Sequence, residues 1–202
     1  MRRPLIVLVV AGCLLAGACG GGDGDDEARP ARSTTTARPG TATTPVAAAG
    51  TAPLTGLPLA DEAKATRPAL VVKIDNAPKA RPQAGLNQAD VVIEEKVEDG
   101  VVRLFTIFHS NDSDPVGPVR SARTTDITLA ASLNRPLFAY SGTNATFQRL
   151  VSAASLVDLG PNAFGGAYFR QPGRPAPYNL FSRTSTLYSR AAPPSAAPPA
   201  LF

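Results

Sequence analysis

The 202-residue chain has no tryptophan, one methionine (Met1), one histidine (His109) and two cysteines, Cys13 and Cys19. One histidine and two cysteines that close together leave no set for a Cys/His zinc site. Two cysteines within the first 19 residues cannot staple a domain that lies beyond them, so a disulfide framework is excluded. Charge is sparse at 18% and nearly balanced, with 20 Lys+Arg against 16 Asp+Glu. What is present is 44% hydrophobic residues, enough for a core, together with 20 prolines and 17 glycines. The prolines and glycines gather between residues 20 and 60 and again between 160 and 200, which sets the ordered part between two tracts of low complexity.

The N-terminus carries its own chemistry. Met1-Arg2-Arg3 is a basic start, and Leu5 to Leu15 is an apolar run too short to span a bilayer well, the pattern of a secretory signal peptide. Leu15-Ala16-Gly17-Ala18 then places small residues directly before Cys19, as in a bacterial lipobox, where the thiol is the nucleophile that takes the lipid. Cys13 competes for that role, but the apolar run before it is only about six residues, below the usual h-region. Lipidation is therefore expected at Cys19, with residues 1–18 removed, and two or more acyl chains hold a protein stably on a membrane. An ordinary secretory signal with an incidental cysteine is the alternative. Loss of Arg2 and Arg3 reduces the formal charge from +4 to +2. The remaining basic residues read as scattered among acidic ones, and the chain reads as exported, so no nucleic-acid partner is expected.

Residues 19–52 read as the lipidated cysteine and a disordered tether, rich in Gly, Asp, Thr and Ala with Val46 as the one large apolar residue. Acidic Asp23, Asp25, Asp26 and Glu27 beside the anchor would lift the domain off anionic lipid. The ordered domain is expected over 53–190, with strands over Val71–Asp75, Ala89–Val97, Val101–His109 and Leu137–Tyr140. Glu98-Asp99-Gly100 has hairpin-turn chemistry. Short helices are expected over Ile127–Leu133, with its cap in Thr124 to Asp126, and from a Thr143 or Asn144 cap through Ala154, with Phe147, Leu150 and Val151 on one face. A strand over Ala167–Arg170 and a last helix over Ser182–Ser189 complete a mixed α/β (α+β) reading: a mixed sheet containing an antiparallel hairpin, flanked by short helices. Residues 191–202 read as a Pro-rich linker, with a further C-terminal domain expected beyond it.

Several phrases in the ordered part resemble the YerB-like bacterial lipoproteins, a family of unknown function. They are Pro53-Leu-Thr-Gly-Leu-Pro58, Lys79-Ala-Arg-Pro-Gln-Ala-Gly-Leu86, Ala89-Asp-Val-Val-Ile-Glu94, Glu98 through Arg103, Gly117-Pro-Val-Arg-Ser-Ala-Arg123 and Tyr168-Phe-Arg170. Pro177-Tyr-Asn-Leu-Phe181 stands where that family more usually reads Pro-His-Asn-Leu-Tyr, so a catalytic use of that histidine would not pass to this chain. The resemblance implies an N-terminal domain here and a smaller C-terminal one starting near Pro198. It implies no reaction.

Candidate functional residues are polar ones inside these phrases. Arg120 and Arg123, three apart beside a helix start, can cradle a carboxylate or phosphate, or can pair with Glu94, Glu95 or Glu98 and brace the hairpin. Glu94 and Glu98 share a strand face with Lys96 between them, which would lower their pKa values rather than raise one for acid catalysis. His109 has Ser110 and Asp112 beside it, but neighbours on a strand end point apart and cannot form a triad; a turn-capping role is the expectation. Asp90, Asp112, Asp114 and Asp126 offer oxygen ligands without the EF-hand ladder, so neither a metal nor a cofactor is expected. Phe164, Tyr168, Phe169, Tyr178 and Phe181 could line a cleft, but packing around irregular loops is the expected reading. The functional expectation is a membrane-held, extracytoplasmic binding domain at the cell envelope, taking an envelope protein or an anionic ligand on Glu94, Glu98, Arg103, Arg120, Arg123, Arg170 and Asn179. An envelope hydrolase working through carboxylates, and a fragment without independent activity, are the competing readings.

Overall fold

The computed structural model describes residues 50–201. Cys13, Cys19, the expected signal peptide and most of the expected tether lie outside them. Among the described residues no helix is long and apolar enough to cross a membrane.

The centre is β1 (Leu70–Asp75), all six of whose residues are buried. An apolar run containing Lys73 and Asp75 can be buried on both faces only if those two charges find partners. β2 (Val91–Lys96) and β3 (Val102–Phe108) form the expected antiparallel hairpin, turning through Glu98–Gly100, where Gly100 takes a φ of +71°. β3, not β2, then pairs with β1, antiparallel, in register Lys73 to Phe105 and Asp75 to Arg103. β4 (Leu137–Ala139) joins β1 on its other side, parallel, and β5 (Val157–Asp158) joins β4, also parallel. The order is β2-β3-β1-β4-β5. β1 thus joins an antiparallel half to a parallel half.

One face of the sheet, with Val71, Phe105, Ile107, Phe138 and Tyr140, is covered by α1 (Thr124–Ala130) and α2 (Ala145–Ala153). The other, with Leu70, Val72, Leu104, Phe108 and Leu137, packs on Val116, Val119 and α4 (Thr184–Tyr188). Between α2 and α4 lie β5, a one-turn helix α3 (Pro161–Phe164) and a two-stranded ribbon of β6 (Phe169–Arg170) and β7 (Leu180–Phe181). Val119 N–H donates to Leu180 O at 2.7 Å and ties that ribbon to the segment leaving β1's edge.

Three local expectations are corrected. α1 begins at Thr124, earlier than Ile127, because Asp126 at its third position accepts the Arg123 N–H at 2.5 Å and closes the first turn from within. In α2 Phe147 and Val151 are buried but Leu150 is 46% exposed, since the apolar face is narrower than the sequence suggested. Asp90, not His109, caps the β3 end, accepting from the His109 and Ser110 N–H groups. Order also begins before Pro53 and reaches past Arg190. Leu59 N–H donates to Gly50 O at 2.6 Å, Pro198 is buried, and Leu201 N–H donates to Pro53 O at 2.9 Å.

Of the two expected cap residues it is Asn144, not Thr143, that caps α2, accepting the Phe147 N–H at 2.8 Å. Asn144→Ala should cost about 1 kcal/mol in urea unfolding and Asn144→Asp much less; an unchanged midpoint in the alanine variant would contradict the assigned cap.

His109 is fully buried and neither ring nitrogen has a hydrogen-bond partner among the described residues. Burial, the largest influence, pushes its pKa below 6.5. On acidification the unfolded chain takes up this proton before the folded chain does, so stability is lost as pH falls through the unfolded value of about 6.5. A melting temperature that drops below that pH in the parent, and drops less in His109→Leu, is the expected result; parallel curves would remove His109 as the cause.

Candidate functional site

Strand alternation puts Lys73, Asp75, Arg103 and Glu95 on the sheet face that α1 covers. The register makes Asp75, Arg103 and Glu95 one cross-strand row. Lys73 lies one step behind it. α1 lowers Asp126 onto this row, and Lys73 Nζ sits 2.7 Å from Asp126 Oδ1 while also pairing with Glu95. Thr125 Oγ1 donates to the other oxygen of Glu95 at 2.7 Å. Lys73 and Asp126 are fully buried and Glu95 nearly so. Burial pulls the Lys73 pKa down and pushes the Asp126 pKa up, each resisted by the partner. This ionic core locks α1 to the centre of the sheet.

Three arginines stand at the outer end of that row. Arg123 grips Glu98 through Nε, at 2.6 and 2.9 Å, and Nη2, at 2.8 Å, and its Nη1 donates to Ala122 O. These hydrogen bonds hold the exposed Glu98 carboxyl down at a pKa of about 2. An acid so readily ionised has no proton to donate near neutral pH, and Glu94 faces away, exposed on the edge strand. The two carboxylates therefore do not form an acid–base pair. Arg120 Nε meets Asp75 Oδ2 at 3.0 Å, and its guanidinium lies over Tyr178, 5.9 Å from the ring centre. Arg103 differs. It is 8% exposed, its Nη1 donates to Ser121 O at 2.8 Å, its Nε has no acceptor, and no carboxylate comes within ion-pair distance among the described residues. Burial, and then Arg123 and Arg120, push its pKa down.

Beside this cluster a cleft of about 440 Å³ is lined by Glu98, Ser121, Arg123, Thr124, Thr143 and Asn144. Thr143 and Asn144 follow β4, and Ser121 follows residues 118–120, which run antiparallel along β1, so the cleft opens at the carboxyl end of the parallel strand β4, where ligands of open α/β sheets bind. Three hydroxyls and the Asn144 amide supply its free hydrogen-bonding groups, beside Ala122, Phe147 and the Arg123–Glu98 pair, with Arg103 and Arg120 close behind the lining. The arrangement suits a carboxylate or phosphate.

Of the seven residues picked from sequence, Glu98, Arg103, Arg120 and Arg123 meet here. Arg170 and Asn179 pair with each other on the ribbon, Nη1 to Oδ1 at 2.6 Å, next to the Tyr178 that Arg120 covers. Glu94 stands apart. Lys73, Asp75, Glu95 and Asp126 escaped notice as a group, although a lysine inside Ala-Leu-Val-Val-Lys-Ile-Asp was a visible demand for buried partners. The aspartates considered for calcium are separately occupied: Asp90 caps the β3 end, Asp112 pairs with Lys64 and Arg67, Asp114 with Arg183, and Asp126 with Lys73. Among the described residues no three metal-ligating side chains converge.

Residues 54–196 match the family described as "Protein of unknown function (DUF3048) N-terminal domain". The chain is 36% identical over 131 residues to YerB of Bacillus subtilis (strain 168), whose name calls it a candidate lipoprotein; the match covers 65% of this chain and 39% of YerB. The crystal structure of YerB from Bacillus subtilis superposes with a TM-score of 0.65 at 29% identity, covering 73% of this chain and 53% of that one. The chain thus spans well under two thirds of the length of the relatives it matches.

Proposed function

Since this chain belongs to the family of the DUF3048 N-terminal domain, we propose that it is a lipid-anchored binding domain on the extracytoplasmic face of the membrane. In this reading Cys19 carries the lipid, and the cleft beside Arg103, Arg120 and Arg123 captures an anionic group of an envelope ligand or protein. The name given to YerB supports the anchor. One observation carries the cleft: Arg103 is a buried cation without a carboxylate partner among the described residues. A buried unpaired charge is costly, and binding residues are commonly kept at some expense of stability.

Two tests separate the parts. Cys19→Ala should move the protein from the membrane to the aqueous fraction in cells, while Cys13→Ala should leave it on the membrane; the reverse pattern overturns the anchor assignment. For the cleft, Arg103→Met removes the charge and keeps the volume. It should melt no lower than the parent yet lose the stabilisation that anions confer. That stabilisation is about 2.7 kcal/mol at a hundredfold excess over Kd, read by thermal shift against di- and tricarboxylates and inorganic phosphate. A large loss of stability in Arg103→Met with anion response intact would make Arg103 a brace and sink the cleft reading.

A further inference from the structure

The basic residues are not evenly scattered after all. Described residues up to Asp158 carry 11 basic and 12 acidic side chains, whereas residues 159–201 carry four arginines and no acid. The positive excess of the described domain therefore belongs to the β6–β7 ribbon, its loop and α4.

The ribbon holds these arginines in a particular way. Phe169 and Phe181 face each other across it with ring centres 6.4 Å apart. Arg183 lies over Phe169 at 4.6 Å and Arg174 over Phe181 at 5.4 Å, and beyond the ribbon Arg190 lies over Phe164 at 4.1 Å. Stacking fixes a guanidinium plane and leaves its edge N–H groups for oxygen. Arg174 uses its edge on the Ala80 and Pro82 carbonyls, and so draws the exposed Lys79 and Arg81 beside the ribbon. Arg170, exposed, is engaged by Asn179 alone among the described residues, and Arg183 shares an open, half-exposed contact with Asp114.

We propose that this ribbon and α4 form a docking surface for a linear phosphate polymer, distinct from the cleft. Three features select that occupant. Cations spaced along the surface and almost free of carboxylates match repeated phosphates. Alternation along β6 points the exposed Arg170 away from Phe169 and its Arg183, on the side where Leu180 packs on the core, so the cations do not lie in one plane. A flat bilayer meets cations in one plane, whereas a flexible chain can follow cations that point different ways. The aromatic rings are covered by guanidiniums, so they offer no stacking platform for nucleic-acid bases, and recognition runs through phosphate alone.

The test uses the full chain and end-labelled long-chain inorganic polyphosphate, followed by anisotropy over a range of salt. The parent should bind, with log K falling linearly in log salt. Arg170→Gln/Arg183→Gln/Arg190→Gln should bind at least tenfold more weakly, and the salt slope should shrink by about 0.7 for each phosphate that is no longer neutralised. Lysine at the same three positions should keep the slope, and Lys96→Gln, which removes one charge from the far edge strand, should bind as the parent does. Arg170→Glu, whose only described partner is Asn179, guards against misfolding: it should melt like the parent and still bind more weakly. Arg103→Met separates the two sites, since it should lose the response to monomeric anions and keep the polymer. Parent-like binding by the triple glutamine variant overturns the proposal. So does binding through these arginines to phosphatidylglycerol–phosphatidylcholine vesicles without binding to polyphosphate, which would make the occupant a membrane.

Discussion

Lys73→Ala should lose about 3–5 kcal/mol of stability, or fail to fold, because it leaves the Glu95 and Asp126 carboxylates facing each other in the core without a counter-charge. The loss is expected from geometry: among the described residues Lys73 is the one cation that reaches both acids, and all three are sealed from water. Two further variants locate the cause. Lys73→Met/Glu95→Gln/Asp126→Asn removes the whole set of charges and should recover most of the stability, since an uncharged replacement of a buried ionic group is often neutral. Asn at position 126 can still accept the Arg123 N–H. Lys73→Met alone should be less destabilised at acid pH than at alkaline pH, because an acid left unpaired in the core has a raised pKa and folds best when protonated. Equilibrium urea unfolding at two pH values measures all of this. A Lys73→Ala variant within about 1 kcal/mol of the parent would mean that the cluster holds nothing together.

Gly160→Ala should be the most damaging single-methyl change in the parallel half of the sheet. A Cβ at Gly160 would stand 2.4 Å from Tyr140 Cζ and 2.8 Å from its Cε2. The backbone there has a φ of −60°, which any residue adopts, so the clash is with the ring alone. Tyr140 cannot yield. It is buried against Phe138 at 5.1 Å between ring centres, and its hydroxyl donates to Gln148, which in turn donates to Asp158. Overpacking of this kind costs about 1–3 kcal/mol. Tyr140→Phe should give no relief because the ring remains, whereas Tyr140→Leu should make Gly160→Ala nearly harmless in the double variant. Additive losses in that double variant would show that Tyr140 is not what Gly160 makes room for.

Parts of this fold could be read from local chemistry and parts could not. The β2–β3 hairpin was visible because alternating strands flank Glu98-Asp99-Gly100, and α2 because Asn144 precedes Phe147 and Val151 at helical spacing. Those signals lie within a few residues of one another. The placement of β1 between β3 and β4 joins residues 28 to 67 positions apart, and nothing local to Val71 or Val72 encodes it. β5, β6 and β7 are two residues each and have no period to detect. The site shows the same division. Arg120 and Arg123 were legible as a pair, with Glu94, Glu95 and Glu98 as the acids they could meet, since helix start and turn are each locally marked; which acid it is was not. The ionic core was not, because its members at 73, 95 and 126 meet only once the strand register exists. Arg103 was chosen for the phrase it sits in. What sets it apart, a buried guanidinium with no carboxylate at hand, is a property of the row it occupies.

The bond from Leu201 to Pro53 brings the two ends of the described domain side by side. The domain is in effect a closed circuit of chain, and the break in that circuit is a choice of wiring. A short linker from residue 201 to residue 50, with new ends opened in the exposed 172–177 loop, should yield a circular permutant with the same sheet and the same cleft. Such a permutant would also cut the ribbon that carries the arginine stacks, and so would separate the architecture of the sheet from the continuity of that surface.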